Sequence, residues 1–265
     1  MENLNIAVIG AGPSGLVTIK ELIDEGHQVY CYEKSDSIGG VFSSTDSEGA
    51  SVYQDLHLTT SNYFIAFSSF PPKHNEERHF WSAETYLNYL HDFISNFYLD
   101  KHIQFNTDIV NIKTDDDNKV IITGKNKESS FVEKFDAVAI CTGVNRKPNI
   151  PKFDQESVFQ GDIVHSSQYR DNQMFRGKNV VCVGIGETAA DVTHQICQTA
   201  ENCYLAIRSY APILKRYPTF QDKSNAINKQ YTNDTYTTRI LHQTPPELFN
   251  CLIKLVFLKE YAHVD

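Results

Sequence analysis

Two glycine-rich turns restrict the fold of this chain more than any other feature. The first, Gly10–Gly15, follows the apolar run Asn5–Ile9 and precedes a helical pattern from Ser14 to about Glu25. The second, Gly184–Ala189, follows the apolar run Lys178–Val183 in the same way. A glycine-rich turn between a buried strand and a helix brings backbone N–H groups to the phosphates of a nucleotide. The sequence therefore predicts an α/β fold with two Rossmann-like dinucleotide-binding units.

The remaining elements follow from periodicity and from breaker residues. Gly26 ends the first helix, and a second strand is predicted at Gln28–Tyr32. Between the two units we expect a helix capped by Ser82 and running to about Tyr98. A small antiparallel β-meander is predicted from Ile103 to Phe135. We also predict buried strands at Asp136–Cys141 and Lys178–Val183, a linker marked by Pro148 and Pro151, a helix from Thr188 to Gln198 and a strand at Asn202–Ile207. The linker divides the chain into two predicted domains, a dinucleotide-binding domain at 1–147 that contains the first turn and another at 148–265 that contains the second.

Composition and charge exclude several classes of protein. The net charge of −9 argues against a general nucleic-acid binder, which would carry a basic surplus. The six cysteines form neither a C-x-x-C pair nor a zinc-type grouping, so no metal site is predicted. The N terminus lacks the basic and apolar regions of a secretory signal, and the apolar stretch Cys251–Leu258 is too short to span a bilayer. We therefore expect a reduced, cytoplasmic protein without a membrane span.

The first turn has the residue types that a bound pyrophosphate needs. Gly10 permits the tight turn, Gly12 allows the backbone to approach the phosphates, and Gly15 allows the helix to pack closely on the strand. Pro13 and Ser14 open the helix, whose N terminus carries a partial positive charge. Eighteen residues after Gly15, Glu33 ends the second strand, where a carboxylate accepts from ribose hydroxyls and repels a 2′-phosphate. This arrangement predicts FAD or NAD at the first unit, and not NADP.

The second turn differs in the charge that follows it. Gly184 and Gly186 are retained, and the third glycine is replaced by an alanine that the motif tolerates. Arg208 lies twenty-two residues after Gly186, where a guanidinium can bind a 2′-phosphate, and Lys215 and Arg216 follow nearby. A solvated surface residue is the alternative interpretation of each of these three cations. The pattern predicts NADPH at this unit, with Glu187 and Thr188 at the helix start.

Further segments resemble the two-dinucleotide-binding flavoproteins, which favours FAD over NAD at the first unit. Glu33 and Lys34 are followed by Gly39-Gly40-Val41-Phe42, similar to the family's Gly-Gly-x-Trp segment that runs under the flavin's ribityl chain. Phe42 stands where tryptophan is usual. The segment Ile140–Gly143 resembles the marker at which the family's chain leaves the FAD domain, so Thr142 and Gly143 are also expected to contact FAD.

One segment between the units resembles the flavin-containing monooxygenases in particular. Residues 159–169 match the pattern F-x-G-x-x-x-H-x-x-x-[YF], immediately before the second glycine turn. Tyr169 and Arg170 differ from the ending that is typical of the Baeyer–Villiger branch, and His165 is expected to be a structural, hydrogen-bonded residue. The stretch Leu58–Asn62 is similar to the family's Thr-Asn stretch, which makes Asn62 a candidate catalytic residue beside the flavin's reactive edge. An ordinary Asx-turn is the alternative for Asn62. The resemblance extends to about residue 250 and includes Thr238-Arg239.

The resemblance implies an NADPH- and FAD-dependent monooxygenase. NADPH would reduce FAD, O₂ would add at flavin C4a, and the resulting hydroperoxyflavin would oxygenate a small molecule at a soft nitrogen or sulfur. Family members usually have Asn-Ser where this chain has Glu187-Thr188. Their chain also returns to complete the FAD domain, so the end at Asp265 suggests a C-terminally truncated protein, whose exposed core would favour a homo-oligomer.

Three alternatives stay open at this point. A dithiol reductase is disfavoured by the lack of a C-x-x-C pair. A truncated FAD- and NADP-binding protein without turnover would bind flavin but would not reduce it. An NAD(P)-binding regulatory module with an empty FAD site would be colourless.

Overall fold

The computed structural model describes residues 3–43, 51–74, 76–208, 219–221 and 228–230 of the chain. Contacts between Cα atoms divide the chain into two compact units, one made of 1–56 and 82–211 and the other of 57–81 and 212–265. Both predicted β-α-β units lie in the first. The boundary at 147/148 between an FAD and an NADPH domain stays a prediction.

The first β-α-β unit forms as predicted. Strands β1 (Asn5–Ile9) and β2 (Gln28–Tyr32) pair in parallel on either side of helix α1 (Pro13–Asp24). Gly26 ends the helix in a left-handed conformation with φ of 86°, which a glycine adopts without strain. Two further strands, β3 (Ile103–Gln104) and β7 (Ala137–Ile140), complete a parallel sheet with the order β3-β2-β1-β7.

Helix α3 (Ala83–Phe97) crosses over between β2 and β3. Its N terminus is capped by Ser82, whose hydroxyl accepts from the Thr85 N–H at 3.1 Å. Tyr98 ends it in a left-handed conformation with φ of 54°. The predicted cap and both ends of this helix are thus confirmed. Its buried face consists of Ala83, Tyr86, Tyr89, Leu90, Phe93 and Ile94.

The antiparallel meander is present but begins later than predicted. It comprises β4 (Asp108–Thr114), β5 (Val120–Lys125) and β6 (Ser130–Phe135), in that order. The prediction that it starts at Ile103 was wrong. Residues of β3 pair in parallel with β2, because α3 returns the chain to the edge of the first sheet.

One buried cluster joins the meander to the first sheet. The Tyr32 hydroxyl also donates to the Glu133 carboxylate of β6. These contacts place the meander beside the sheet. The cluster contains Ala7, Ile9, Tyr32, Ile122 and Phe135.

The second β-α-β unit consists of β8 (Asn179–Val183), α4 (Glu187–Ile196) and β9 (Asn202–Ala206). The two strands pair in parallel. Tyr169, Val192 and Ile196 form its buried cluster. The prediction that Lys178–Val183 forms a buried strand was wrong, since Val181 and Val183 are 61% and 63% exposed. In the described residues α4 packs on one face of this sheet, so alternate side chains of the strands point away from it.

The strand at the linker end of the first sheet is likewise less buried than predicted. Ile140 is 65% exposed, and β7 is the outermost strand in the described order of that sheet. An apolar run alone does not distinguish a central strand from an edge strand.

The second contact unit contributes helix α2 (Asn62–Ile65) and an antiparallel pair, β10 (Thr219–Gln221) with β11 (Asn228–Gln230). The cations Lys215, Arg216 and Arg239 lie outside the described residues, as does the apolar stretch Cys251–Leu258. Among the helices that the structure describes, none has both the length and the apolar character that a membrane crossing requires.

Candidate dinucleotide-binding sites

The first glycine turn contains two glycines that the fold itself requires. Gly10 has φ of 102°, and a Cβ at this position would lie 2.6 Å from the carbonyl oxygen of Cys141. A Cβ on Gly15 would lie 1.9 Å from the carbonyl oxygen of Gly10. These are the tight turn and the close helix packing that the sequence predicts for the two residues.

Gly12 is different, because no neighbour among the described residues demands a glycine there. Its φ is −74°, an ordinary value for any residue. A Cβ on Gly12 would make an ordinary contact, 3.7 Å from the Cα of Gly40. Packing and backbone conformation therefore do not explain the glycine at this position.

The N terminus of α1 is open to an anion. Gly12 occupies the cap position, Pro13 begins the helix, and no side chain caps the helix by a hydrogen bond. No acidic residue lies in the first turn, and Ser14 is exposed. The partial positive charge of the helix end is thus not offset by a carboxylate of the helix's own first turn.

Glu33 is held against this turn by three hydrogen bonds. Its Oε2 accepts from the Ala11 N–H at 2.6 Å, and its Oε1 accepts from the N–H and the hydroxyl of Ser35, both at 2.8 Å. The structure therefore brings the predicted carboxylate and the glycine turn together. Lys34 points elsewhere, with its ammonium 3.8 Å from the Asp108 carboxylate.

The Gly-Gly segment crosses the same turn. The Gly39 N–H donates to the carbonyl oxygen of Ala11 at 3.0 Å. Gly39 has φ of 106° and caps a short 3-10 helix that contains Gly40, Val41 and Phe42. The Phe42 ring packs edge-on against Tyr86, with 4.8 Å between ring centroids.

Thr142 and Gly143 follow the strand next to β1. The Cys141 N–H donates to the carbonyl oxygen of Ile9 at 2.9 Å, so this segment lies beside the glycine turn. Both Thr142 and Gly143 are exposed, and Gly143 has φ of 75°. The first unit thus gathers all the predicted FAD-contact segments except Lys34 around the carboxyl ends of β1 and β7.

The second glycine turn has the same geometry with more open space. Gly184 has φ of 118°, and its N–H donates to the carbonyl oxygen of Ala206 at 2.9 Å. A Cβ on either Gly184 or Gly186 would meet no atom within 4 Å in the part of the chain that the structure describes. Gly186, with φ of −72°, caps α4 without a side-chain hydrogen bond. As at Gly12, neither packing nor backbone conformation explains the glycine at 186.

The charges around the second turn are of both signs. Glu187 and Thr188 open α4 and are exposed, so a carboxylate occupies the first turn of the helix. Arg208 is exposed and lies two residues beyond the end of β9. The glutamate is favourable for the isolated helix but repels a phosphate at the same place.

The segment 159–169 packs against helix α4 through Tyr169. The Tyr169 side chain is 2% exposed, and burial raises its pKa to about 12. The hydroxyl therefore stays protonated and donates to Oε1 of Gln195 at 2.8 Å. The His165 ring accepts from the Ser167 N–H at 3.2 Å and caps a one-turn 3-10 helix, Ser166–Gln168, as expected for a structural histidine.

Sequence reasoning missed Tyr53 and Asp191. The Tyr53 hydroxyl donates to Oδ2 of Asp191 on α4 at 3.0 Å, and its ring lies edge-on to Tyr169 at 5.5 Å. Gln195 adds a hydrogen bond to the carbonyl oxygen of Gln54 at 3.1 Å. These contacts connect the chain before α2 to the second β-α-β unit. The one available signal was the polar residues at 191 and 195, four apart on a helix.

Asn62 lies in the second contact unit and is fully buried. Its Nδ2 donates to Oε1 of Glu76 at 2.9 Å and to the carbonyl oxygen of Glu77 at 3.1 Å. Its Oδ1 accepts from the N–H groups of Tyr63 and His79, at 3.1 and 3.2 Å. The amide thus makes its full set of hydrogen bonds inside its own segment. Its role beside a flavin stays a prediction.

Comparison with known proteins relates this arrangement to one family. Residues 3–249 match the family model described as "Flavin-binding monooxygenase-like". The chain is 40% identical, over 97% of its length, to 4-hydroxybenzoate brominase (decarboxylating) of Pseudoalteromonas luteoviolacea, and it covers 48% of that protein. It is 32% identical to flavin-containing monooxygenase 5 of Oryctolagus cuniculus, over 94% of this chain and 50% of the relative.

A solved structure shows the same fold. The S-allyl-L-cysteine S-oxygenase of Allium sativum superposes with a TM-score of 0.73 at 26% identity, over 84% of this chain and 54% of that one. The chain therefore spans about half the length of the curated relatives it matches.

Proposed function

Because the chain belongs to the flavin-binding monooxygenase-like family, we propose that it is an oxidoreductase that binds FAD at the first glycine turn and NADPH at the second. The observation that carries this proposal is a reversal of charge between two similar units. Glu33 follows the second strand of the first unit and Arg208 follows that of the second. A carboxylate suits a free ribose, whereas a guanidinium suits a 2′-phosphate.

The residues present fit two such nucleotides. Both helices begin without a side-chain cap, which leaves their N termini to bind phosphate. Among the described residues, packing requires a glycine at neither Gly12 nor Gly186, and a phosphate group approaching the backbone at each turn would account for both. Glu33 would bind the adenosine ribose of FAD, Thr142 and Gly143 would contact FAD from the neighbouring strand, and Arg208 would bind the 2′-phosphate of NADPH.

For the chemistry, we propose oxygen transfer to a soft nitrogen or sulfur nucleophile in a small molecule. When bound, FAD would accept a hydride from NADPH and then react with O₂. The chain's own residues would position the two nucleotides and would supply no covalent nucleophile. The likeness to an S-oxygenase supports a sulfur substrate. A hydrogen bond from Asn62 to the flavin would require its amide to exchange one of its four present contacts.

A second candidate is halogenation, favoured by the 40% identity with the brominase. Bromide is itself a soft nucleophile, so the same oxygen transfer would convert it to a brominating species. The binding residues described above serve either reaction. The two candidates differ only in the nucleophile that receives the oxygen.

The absorption spectrum of the purified full chain tests the cofactor assignment. We expect a yellow protein, after reconstitution with FAD if necessary, whose flavin absorbance is bleached by anaerobic NADPH. Aerobic turnover is then assayed with a thioether, a tertiary amine, and bromide with 4-hydroxybenzoate. A sulfoxide or N-oxide supports the first candidate, and a brominated phenol supports the second. Bound flavin that NADPH does not reduce would contradict both.

Substitution of Arg208 tests the NADPH assignment without turnover. We expect Arg208→Ala to weaken NADP⁺ binding by about 10- to 100-fold, the equivalent of one lost charged hydrogen-bonding partner. Binding of NAD⁺ should change little, because it lacks the 2′-phosphate. Isothermal titration of the apo chain with each nucleotide measures both.

Arg176 provides the matched control for this experiment. Arg176 is also exposed and lies three residues before β8, but its guanidinium donates hydrogen bonds to Oε1 of Gln173. Arg176→Ala should leave both affinities unchanged. An equal loss of NADP⁺ and NAD⁺ binding in Arg208→Ala would show that Arg208 does not recognise the 2′-phosphate.

A further inference from the structure

A four-residue turn, residues 53–56, contacts α4 on one side and the start of α3 on the other. The turn is closed by the Leu56 N–H, which donates to the carbonyl oxygen of Tyr53 at 3.2 Å. Asp55, its third residue, has φ of 59°, a left-handed conformation that aspartate tolerates better than most residues. The turn therefore has a defined shape, which fixes the direction of the side chains and carbonyl groups on both of its sides.

The first half of the turn is bound to the second β-α-β unit. The Tyr53 hydroxyl donates to Oδ2 of Asp191 at 3.0 Å, and its ring packs against the buried cluster of that unit. The Gln54 N–H donates to the carbonyl oxygen of Arg170 at 2.7 Å, and the Gln54 carbonyl oxygen accepts from Nε2 of Gln195 at 3.1 Å. Since Asp191 and Gln195 are one turn apart on α4, the helix is held at two successive points of one face.

The second half of the turn is bound to the helix that packs on the first site. The Leu56 carbonyl oxygen accepts at 2.9 Å from the N–H of Ala83, the first residue of α3. Three residues further along α3, the Tyr86 ring packs edge-on against Phe42 of the Gly-Gly segment, with 4.8 Å between ring centroids. A continuous series of contacts thus runs from the segment predicted to lie under the flavin to the helix predicted to bind the phosphates of NADPH.

The bond from Tyr53 to Asp191 is separate from the contacts that build the second site itself. The glycine turn, the start of α4 and Arg208 all belong to the second unit, and Val192 and Ile196 hold α4 on its own sheet. Tyr53 instead belongs to the chain between the Gly-Gly segment and α3. Loss of its hydroxyl would therefore leave the nucleotide-binding residues of each unit together and would loosen the connection between the two units.

We infer that Tyr53 is a positioning residue, which through Asp191 holds the second unit where NADPH can pass a hydride to FAD. The inference rests on the proposed function. In that step NADPH gives up a hydride and FAD gains it, so that NADP⁺ and reduced FAD are the only products. Hydride transfer is sensitive to small displacements, because a misplacement of about 1 Å can lower the rate of a positioned reaction about 100-fold. A hydrogen bond far from both nucleotides can therefore control the rate without contributing to either affinity.

Anaerobic stopped-flow reduction of the FAD-loaded full chain at increasing NADPH concentrations tests this role. Tyr53→Phe removes only the hydroxyl, and Asp191→Ala removes its acceptor. In both variants we expect the limiting rate of flavin reduction to fall at least about tenfold, while the apparent dissociation constant of NADPH and the affinity for FAD change by less than about twofold. Because both residues act through one bond, the double variant should be no slower than Asp191→Ala.

Tyr32→Phe is the matched control. It also removes a tyrosine hydroxyl that donates to a carboxylate, that of Glu133, but this bond joins the first sheet to the meander. The limiting rate of flavin reduction in Tyr32→Phe should equal that of the wild type. Hydrogen exchange of the apo chain gives a readout without turnover, since the Gln54 N–H should exchange at least about fivefold faster in Tyr53→Phe, with exchange in β1 unchanged.

The outcomes separate this inference from the proposed function. A wild-type flavin that NADPH does not reduce would contradict the proposed function, and the inference with it. A wild-type flavin that is reduced, with equal limiting rates in Tyr53→Phe and Asp191→Ala, would overturn the inference alone. So would a weaker affinity for NADPH at an unchanged limiting rate, or an equal slowing in Tyr32→Phe, because either would show that the Tyr53 hydroxyl has no specific part in aligning the two units.

Discussion

Gly15→Ala should destabilise the fold, whereas Gly12→Ala should leave the fold stable and weaken FAD binding. In Gly15→Ala the added methyl group would lie 1.9 Å from the Gly10 carbonyl oxygen, a backbone atom that cannot move without separating α1 from β1. We expect a loss of roughly 3 kcal/mol of folding free energy, the upper range for overpacking. Thermal unfolding of the apo chain, followed by circular dichroism, measures this loss.

Gly12→Ala, three residues earlier in the same glycine turn, is the matched variant. Its methyl group would lie in ordinary contact with Gly40, at 3.7 Å, and the backbone conformation suits alanine. The free energy of unfolding should change by no more than about 0.5 kcal/mol. FAD affinity, measured by quenching of flavin fluorescence, should fall by at least about tenfold, because the methyl group would occupy the surface offered to the pyrophosphate. An unchanged FAD affinity would contradict a phosphate-binding site at the first turn.

The second large effect is expected at Tyr169. Its buried ring packs against Tyr53 and Phe175, and its hydroxyl donates to Gln195 on α4. Tyr169→Ala should cost about 3–5 kcal/mol of folding free energy, as for other large buried aromatic residues. Tyr169→Phe retains the ring and should cost only about 1 kcal/mol for the hydrogen bond. Urea unfolding of the apo variants measures both values.

Tyr204 separates this effect from the loss of any tyrosine in the unit. It lies on β9 and is 59% exposed. Tyr204→Ala should cost less than about 1 kcal/mol. A similar loss in Tyr169→Ala and Tyr204→Ala would show that the 159–169 segment does not hold α4 in place.

Local rules were sufficient for most of the fold. The first strand, its glycine turn and the second strand have the predicted bounds because turn chemistry and periodicity agree there. The Ser82 cap was predictable for the same reason. Burial of β7 and β8 was not, because an apolar run does not reveal how many neighbours a strand has. The parallel pairing of Ile103 depends on where α3 delivers the chain, which is a tertiary property.

The candidate site divides in the same way. The positions of the glycines, of Glu33 beside the first turn and of Arg208 after β9 were predictable, because each lies at a fixed distance along a β-α-β unit. The contact of Tyr53 with Asp191 joins residues far apart in sequence and carries no motif.

The backbone hydrogen bonds of Ala11 affect the entropy cost of binding a nucleotide at the first turn. Its N–H is held by Glu33 and its carbonyl oxygen by Gly39, so the protein's own atoms immobilise the loop from both sides. Because the loop is already rigid, ordering it costs little conformational entropy when a nucleotide binds. We therefore expect the first glycine turn to have the same conformation with and without a bound nucleotide.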